Sequence, residues 1–150
     1  QKRPHTTVML AGADPVPAVK KLQSDKVTVT GWVNDIGECY AKAGLFVAPM
    51  RIGTGLQNKL LEAMATKKPC ITSPLANNAL AAEDGKQVIV AKTAQEYADA
   101  IIKLLDNKDE ADMLADNAYN YVLQKYSWDK YNELLETLLN DMYNKCNCKQ

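Results

Sequence analysis

Gly53-Thr54-Gly55 runs straight into Leu56-Gln57-Asn58-Lys59-Leu60-Leu61-Glu62-Ala63-Met64-Ala65, a stretch rich in helix formers through its second half. Glycines ahead of a helix can hold an anion. They let the backbone turn sharply, and the first helical turn offers N–H groups with no partner inside the helix. The same arrangement also occurs in ordinary strand–helix turns. It is not a P-loop, because the Gly-Lys-Ser/Thr ending is missing, and it is not a dinucleotide fingerprint. Lys59 and Glu62 stand three apart and can form an i,i+3 ion pair worth about 0.2–0.5 kcal/mol. The functional alternative for Glu62 is a cis-diol such as a ribose, since a carboxylate presents two acceptor oxygens to two vicinal hydroxyls.

Other side chains offer less. Trp32, just after Gly31, can stack on a base or cover the sheet edge, and packing is its ordinary role. His5 is the only histidine and lies near the chain start, where an exposed position is the expectation. Cys39, Cys70, Cys146 and Cys148 have no disulfide or zinc spacing, so the reading is reduced thiols and no metal site. No Asp/His/Ser or paired-carboxylate constellation is legible, and no catalytic base is assigned.

These residues need elements to hold them. Thr7–Ala11, the run around Val27 and Val29, Leu45–Ala48, Pro69–Thr72 and Gln87–Val90 read as five short strands ending in glycine, proline or turn signals. Asp14-Pro15 reads as the start of a short helix, and Asn34 or Asp35 as the cap of another through Tyr40 and Ala43. Leu56, Leu60, Ala63 and Met64 share one stripe of the helix after the glycines, facing the sheet. Thr93 with Glu96 forms a capping-box pattern. Asp109 starts a further helix, and Ser127 a last one with Tyr131, Leu134, Leu135, Leu138 and Leu139 at helical spacing. Strands alternating with helices predict a Rossmann-like three-layer α/β domain with a mostly parallel sheet of five strands or more, spanning 1–150 as one unit. Ligands in such sheets bind beyond the carboxyl ends of the strands, where Gly12, Gly31, Pro49 and Ser73 fall.

The composition agrees with a globular domain: 150 residues, 47% hydrophobic and 24% charged. Lys plus Arg equals Asp plus Glu, 18 against 18, so no bulk field recruits nucleic acid. The longest apolar runs fall far short of the roughly 20 residues of a spanning helix. The opening Gln1-Lys2-Arg3-Pro4-His5 is no signal peptide, and without a methionine the chain reads as a piece of a longer protein. A cytoplasmic location is the expectation.

Taken in order, Val8–Gly12, Val29–Val33, Ala41–Pro49 and Leu61-Glu62-Ala63-Met64-Ala65 resemble the donor-binding C-terminal half of GT-B retaining glycosyltransferases of the group 1 family, which includes sucrose- and glycogen-synthase-like enzymes. The resemblance runs from about Val8 to Trp128, with Tyr126-Ser127-Trp128 before a closing helix over 127–143. It implies a UDP- or GDP-sugar donor and no cofactor. It also implies that Glu62 binds the ribose hydroxyls, that backbone near Gly31, Trp32 and Val33 holds the base, and that Gly53, Thr54, Gly55, Leu56, Lys59 and Arg51 face the diphosphate and sugar.

The chain departs from the family in three places. A second glutamate usually stands eight residues before the first, which is Thr54 here. Lys67 replaces a glycine common just past the helix. The family's first donor-half strand, with its Arg/Lys pair, and its N-terminal acceptor domain lie outside this sequence. The implied partners are therefore a nucleotide sugar and that acceptor domain, through which the enzyme could touch the inner face of a membrane. The fragment alone is expected to transfer no sugar. The competing reading is a nucleotide-binding or scaffold domain that keeps the fold without turnover.

Overall fold

A computed structural model describes residues 3–53 and 55–147, and the side chains of residues 3–53 and 55–145. Among the described residues five strands and seven helices follow one another: β1 (Val8–Ala11), α1 (Pro17–Lys20), β2 (Val27–Gly31), α2 (Ile36–Lys42), β3 (Phe46–Ala48), α3 (Asn58–Ala65), β4 (Cys70–Thr72), α4 (Pro74–Leu80), β5 (Ile89–Val90), α5 (Ala94–Asp106), α6 (Lys108–Tyr126) and α7 (Trp128–Asn147). Every strand pairing is parallel, as expected. The five strands nevertheless form two sheets, β1–β2 and β3–β4–β5, rather than one.

The core gathers around the second sheet, and its strands show why. Phe46, Cys70 and Val90 belong to one apolar cluster, with Tyr40, Leu60, Met64, Leu80, Ala118 and Val122. Their neighbours Val47, Ile71 and Ile89 belong to a second, with Tyr97, Ile101, Leu104 and Leu114. Successive strand side chains point to opposite faces, so a run apolar at every position must be covered on both sides. Helices α3 and α4 cover one face, α5 covers the other, and α6 contributes to both. The first sheet is barer: β1 is exposed at Val8 and Met9, and Tyr40 is the first buried apolar side chain among the described residues.

Helix starts follow local chemistry. Asp35 caps α2 by accepting from Gly37 N–H at 2.7 Å. Thr93 and Glu96 complete the capping box of α5. Three starts differ from the sequence reading. Helix α6 begins at Lys108, with Asn107 as its cap accepting from Glu110 N–H at 3.2 Å, rather than at Asp109. Asp14 does not cap α1; it sits at φ 48°, and the helix begins later, at Pro17 after Val16. Pro15 and Pro17 both suit a first helical position, and only the latter is followed by residues free to continue the turn. Helix α3 begins at Asn58 with Gln57 as its cap, so Leu56 stays in the preceding loop and outside the buried stripe of Leu60, Ala63 and Met64. Helix α4 has no counterpart in the sequence reading. Ser73 caps it by accepting from Ala76 N–H, with Pro74 in its first turn.

Candidate functional site

The loops after β2 and β3 lie at the carboxyl ends of parallel strands, where α/β sheets bind ligands. After β2 the chain turns at Gly31, whose φ of +65° is left-handed and costs an L-residue roughly 1–2 kcal/mol. The turn presents Trp32, which is 77% exposed, so the packing role expected of it is not what the fold gives it. Trp32 borders a cavity of about 420 Å³ together with Thr30, Gly31, Asp14, Lys20 and Gln23. Val33 is half-buried beside it. A tryptophan face held in water at a strand end is a ready stacking surface.

The loop after β3 carries most of the other candidates. Gly55 is left-handed at φ +70°, and Gln57 ties the loop by donating from Nε2 to the Gly55 carbonyl at 3.3 Å. A side chain at Gly53 would crowd that same Gln57 amide. Thr54 lies outside the described residues. Arg51 borders a second cavity, of about 380 Å³, with Met50, Ser73, Lys92 and Tyr97 beyond β3 to β5. Met50 links the two regions, since Lys59 Nζ lies 3.7 Å from its sulfur.

Glu62 does not take Lys59 as its partner, contrary to the simple i,i+3 expectation. The Tyr40 hydroxyl donates toward Glu62 Oε2 at 3.0 Å and toward the Lys59 carbonyl at 3.1 Å. Tyr40 is 7% exposed, and its ring tilts against Phe46 with centroids 5.7 Å apart. Burial, and then the hydrogen bond and charge of Glu62, push its phenol well above the usual tyrosine range. Glu62 itself is exposed on α3 and lines neither cavity. Tyr40 was not singled out in the sequence. The signal that could have found it is an aromatic with a polar tip at the inward position of α2, which must find a partner when buried.

Among the described residues no group of three or more His, Cys, Asp or Glu is placed to hold a metal ion. Cys39 and Cys70 are unpaired, Cys70 fully buried; Cys146 and Cys148 lie outside the described side chains.

The profile of the group 1 glycosyltransferase family matches residues 1–107. The chain belongs to this family. An uncharacterized glycosyltransferase of Methanocaldococcus jannaschii is 31% identical over 94 residues, covering 59% of this chain and 24% of the relative. A probable sucrose-phosphate synthase of Thermosipho melanesiensis is 30% identical over 71 residues, covering 47% and 16%. The chain thus spans a quarter or less of the curated relatives it matches. Among solved structures, Anabaena HepE in complex with UDP superposes with a TM-score of 0.81 at 20% identity, over 92% of this chain and 42% of HepE. The C-terminal domain of the Francisella tularensis group 1 protein LpcC matches with a TM-score of 0.67 at 18% identity, over 82% of this chain and 87% of that domain. This group 1 chain therefore has the fold of a GT-B C-terminal domain.

Proposed function

We propose that this group 1 chain is the donor-binding domain of a nucleotide-sugar-dependent glycosyltransferase that acts with retention of configuration. The observation that carries the reading is Glu62: an exposed carboxylate on the helix beyond β3, unpaired with Lys59 and fixed at one oxygen by a buried tyrosine. An acceptor held in this way suits a ribose diol. Trp32 with the Gly31–Val33 turn would take the base. The Gly53–Leu56 loop, Lys59 and, less directly, Arg51 would face the diphosphate, where positive charge stabilises the leaving group. HepE, which shares the fold, has been solved with UDP and with UDP-glucose, which makes a uridine donor the first to test. An acceptor-binding half would come from another part of the enzyme, and the chain alone would transfer nothing.

Calorimetric or NMR titration with UDP and GDP tests the site. Glu62→Ala should weaken binding by about 1.5–3 kcal/mol, the cost of losing hydrogen bonds to a charged group. Unchanged affinity in that variant would remove Glu62 from the site.

A further inference from the structure

The contact between Tyr40 and Glu62 joins two regions that the donor must bridge. Tyr40 lies on α2, directly after the Gly31–Val33 turn, and Glu62 lies on α3, after the Gly53–Leu56 loop. A phenol has one proton, and both atoms facing it, Glu62 Oε2 and the Lys59 carbonyl, are acceptors only. The hydroxyl therefore serves the carboxylate and the backbone of one helical turn together. Its ring is locked by burial and by Phe46, so it cannot follow Glu62 if that side chain moves. We propose that Tyr40 is the positioning residue for Glu62, holding Oε2 so that Oε1 and the remaining lone pairs stay aimed outward for the sugar hydroxyls of the nucleotide. The proposal rests on the ribose reading of Glu62. An exposed glutamate without such an anchor samples several rotamers and loses that freedom when it binds. With the anchor, much of that cost is already met in the fold.

Tyr40→Phe is the informative variant, because it keeps the ring and its packing and removes only the hydroxyl. The readout is ribose discrimination, the ratio of dissociation constants for 2′,3′-dideoxy-UDP and UDP. The wild-type protein should prefer UDP, and Tyr40→Phe should cut that preference about 3- to 10-fold, the range of one hydrogen bond, while dideoxy-UDP affinity holds. Glu62→Gln should also lower the preference, and adding Tyr40→Phe to it should change little further, since the two act as one unit. Equal weakening of both ligands by Tyr40→Phe would make the tyrosine a structural residue only and overturn the proposal. If Glu62→Gln leaves the ratio unchanged, the ribose reading fails first and this inference falls with it. If Glu62→Gln removes the preference and Tyr40→Phe does not, the ribose reading stands and the positioning role is refuted.

Discussion

The Tyr126 hydroxyl donates to the Leu80 carbonyl at 2.9 Å, joining the ends of two helices 46 residues apart. Tyr121 reaches the same carbonyl at 2.7 Å, and Lys125 approaches it at 3.4 Å. Leu80 is the last residue of α4, whose chain then turns through Ala81 at a left-handed φ of 54°. The final carbonyls of a helix have no partner within it, so α6 supplies donors that α4 lacks. Tyr126→Phe and Tyr121→Phe should each cost about 1 kcal/mol in urea denaturation. The double variant should cost more than the sum if one donor can cover for the other at a shared acceptor, because only then is the carbonyl left without a partner. Full additivity would show that the two hydroxyls serve separate partners.

Lys67 sits where the family often has glycine, and the structure explains how a lysine is accommodated. Its φ is 53°, with Lys67 N–H bonded to the Met64 carbonyl and Lys68 N–H to the Ala63 carbonyl. That pair of bonds is a Schellman ending, for which glycine is the usual residue. The lysine side chain turns to Asp116, at 2.8 Å, and lies over the Tyr119 ring. Lys67→Gly removes a backbone strain of about 1 kcal/mol and loses these contacts, which are exposed and screened by solvent. The variant should be at least as stable as wild type, and more clearly stabilising in an Asp116→Ala background where the contact is already gone. A loss of stability in both backgrounds would show that the left-handed conformation costs this lysine little.

Acid should loosen the start of α5 through Glu96. Its carboxylate accepts from Lys92 N–H at 2.6 Å and from Thr93 N–H at 3.4 Å, and these bonds hold its pKa below the ordinary value of 4.5. The unfolded chain binds the proton at a higher pH than the folded one. The contribution is therefore complete above about pH 4.5 and is lost as pH falls through the lower folded value. Glu96→Gln should flatten the stability profile of the protein below pH 4.5 relative to wild type, read by denaturation at a series of pH values. An identical acid limb in the variant would assign the acid sensitivity to other carboxylates.

Periodicity and punctuation made the strands legible, because apolar runs such as Leu45–Ala48 and Pro69–Thr72 must be buried on both faces. The Thr93–Glu96 box was legible because its two hydrogen bonds depend only on local spacing. Helix α4 was not, since Pro74–Leu80 contains two asparagines and its start signal, Ser73-Pro74, reads equally well as a strand exit. The split into two sheets was not legible either, because alternation shows which faces are covered and not which strands meet. Glu62 was marked from its two acceptor oxygens, yet its partner came from α2. A contact across 22 residues carries no local pattern, and helix spacing pointed to Lys59 instead. The exposure of Trp32 is hidden in the sequence for a related reason. Size and apolarity argue for burial, while its place at a left-handed turn, which the fold decides, leaves it in water.

The last helix tests whether an apolar stripe belongs to this domain's own core. Leu134, Leu135, Leu138 and Leu139 repeat at helical spacing as in any core-facing helix, yet each is more than half exposed. Leu104 on α5 is 4% exposed and sits inside the second apolar cluster. Burial, not sequence pattern, sets the cost of a substitution, so the two helices should respond differently. Leu104→Ala should cost about 2–5 kcal/mol, the range for emptying a filled core site. Leu135→Lys and Leu138→Lys should each stay within about 0.5 kcal/mol of wild type, the range for surface changes. Urea denaturation at low protein concentration, repeated at high concentration, gives the comparison. Should the α7 lysine variants lose 2 kcal/mol or more only at high concentration, the stripe is covered by a second copy in solution. Should they lose it at every concentration, α7 lies against its own chain more closely than the exposures of Leu135 and Leu138 allow.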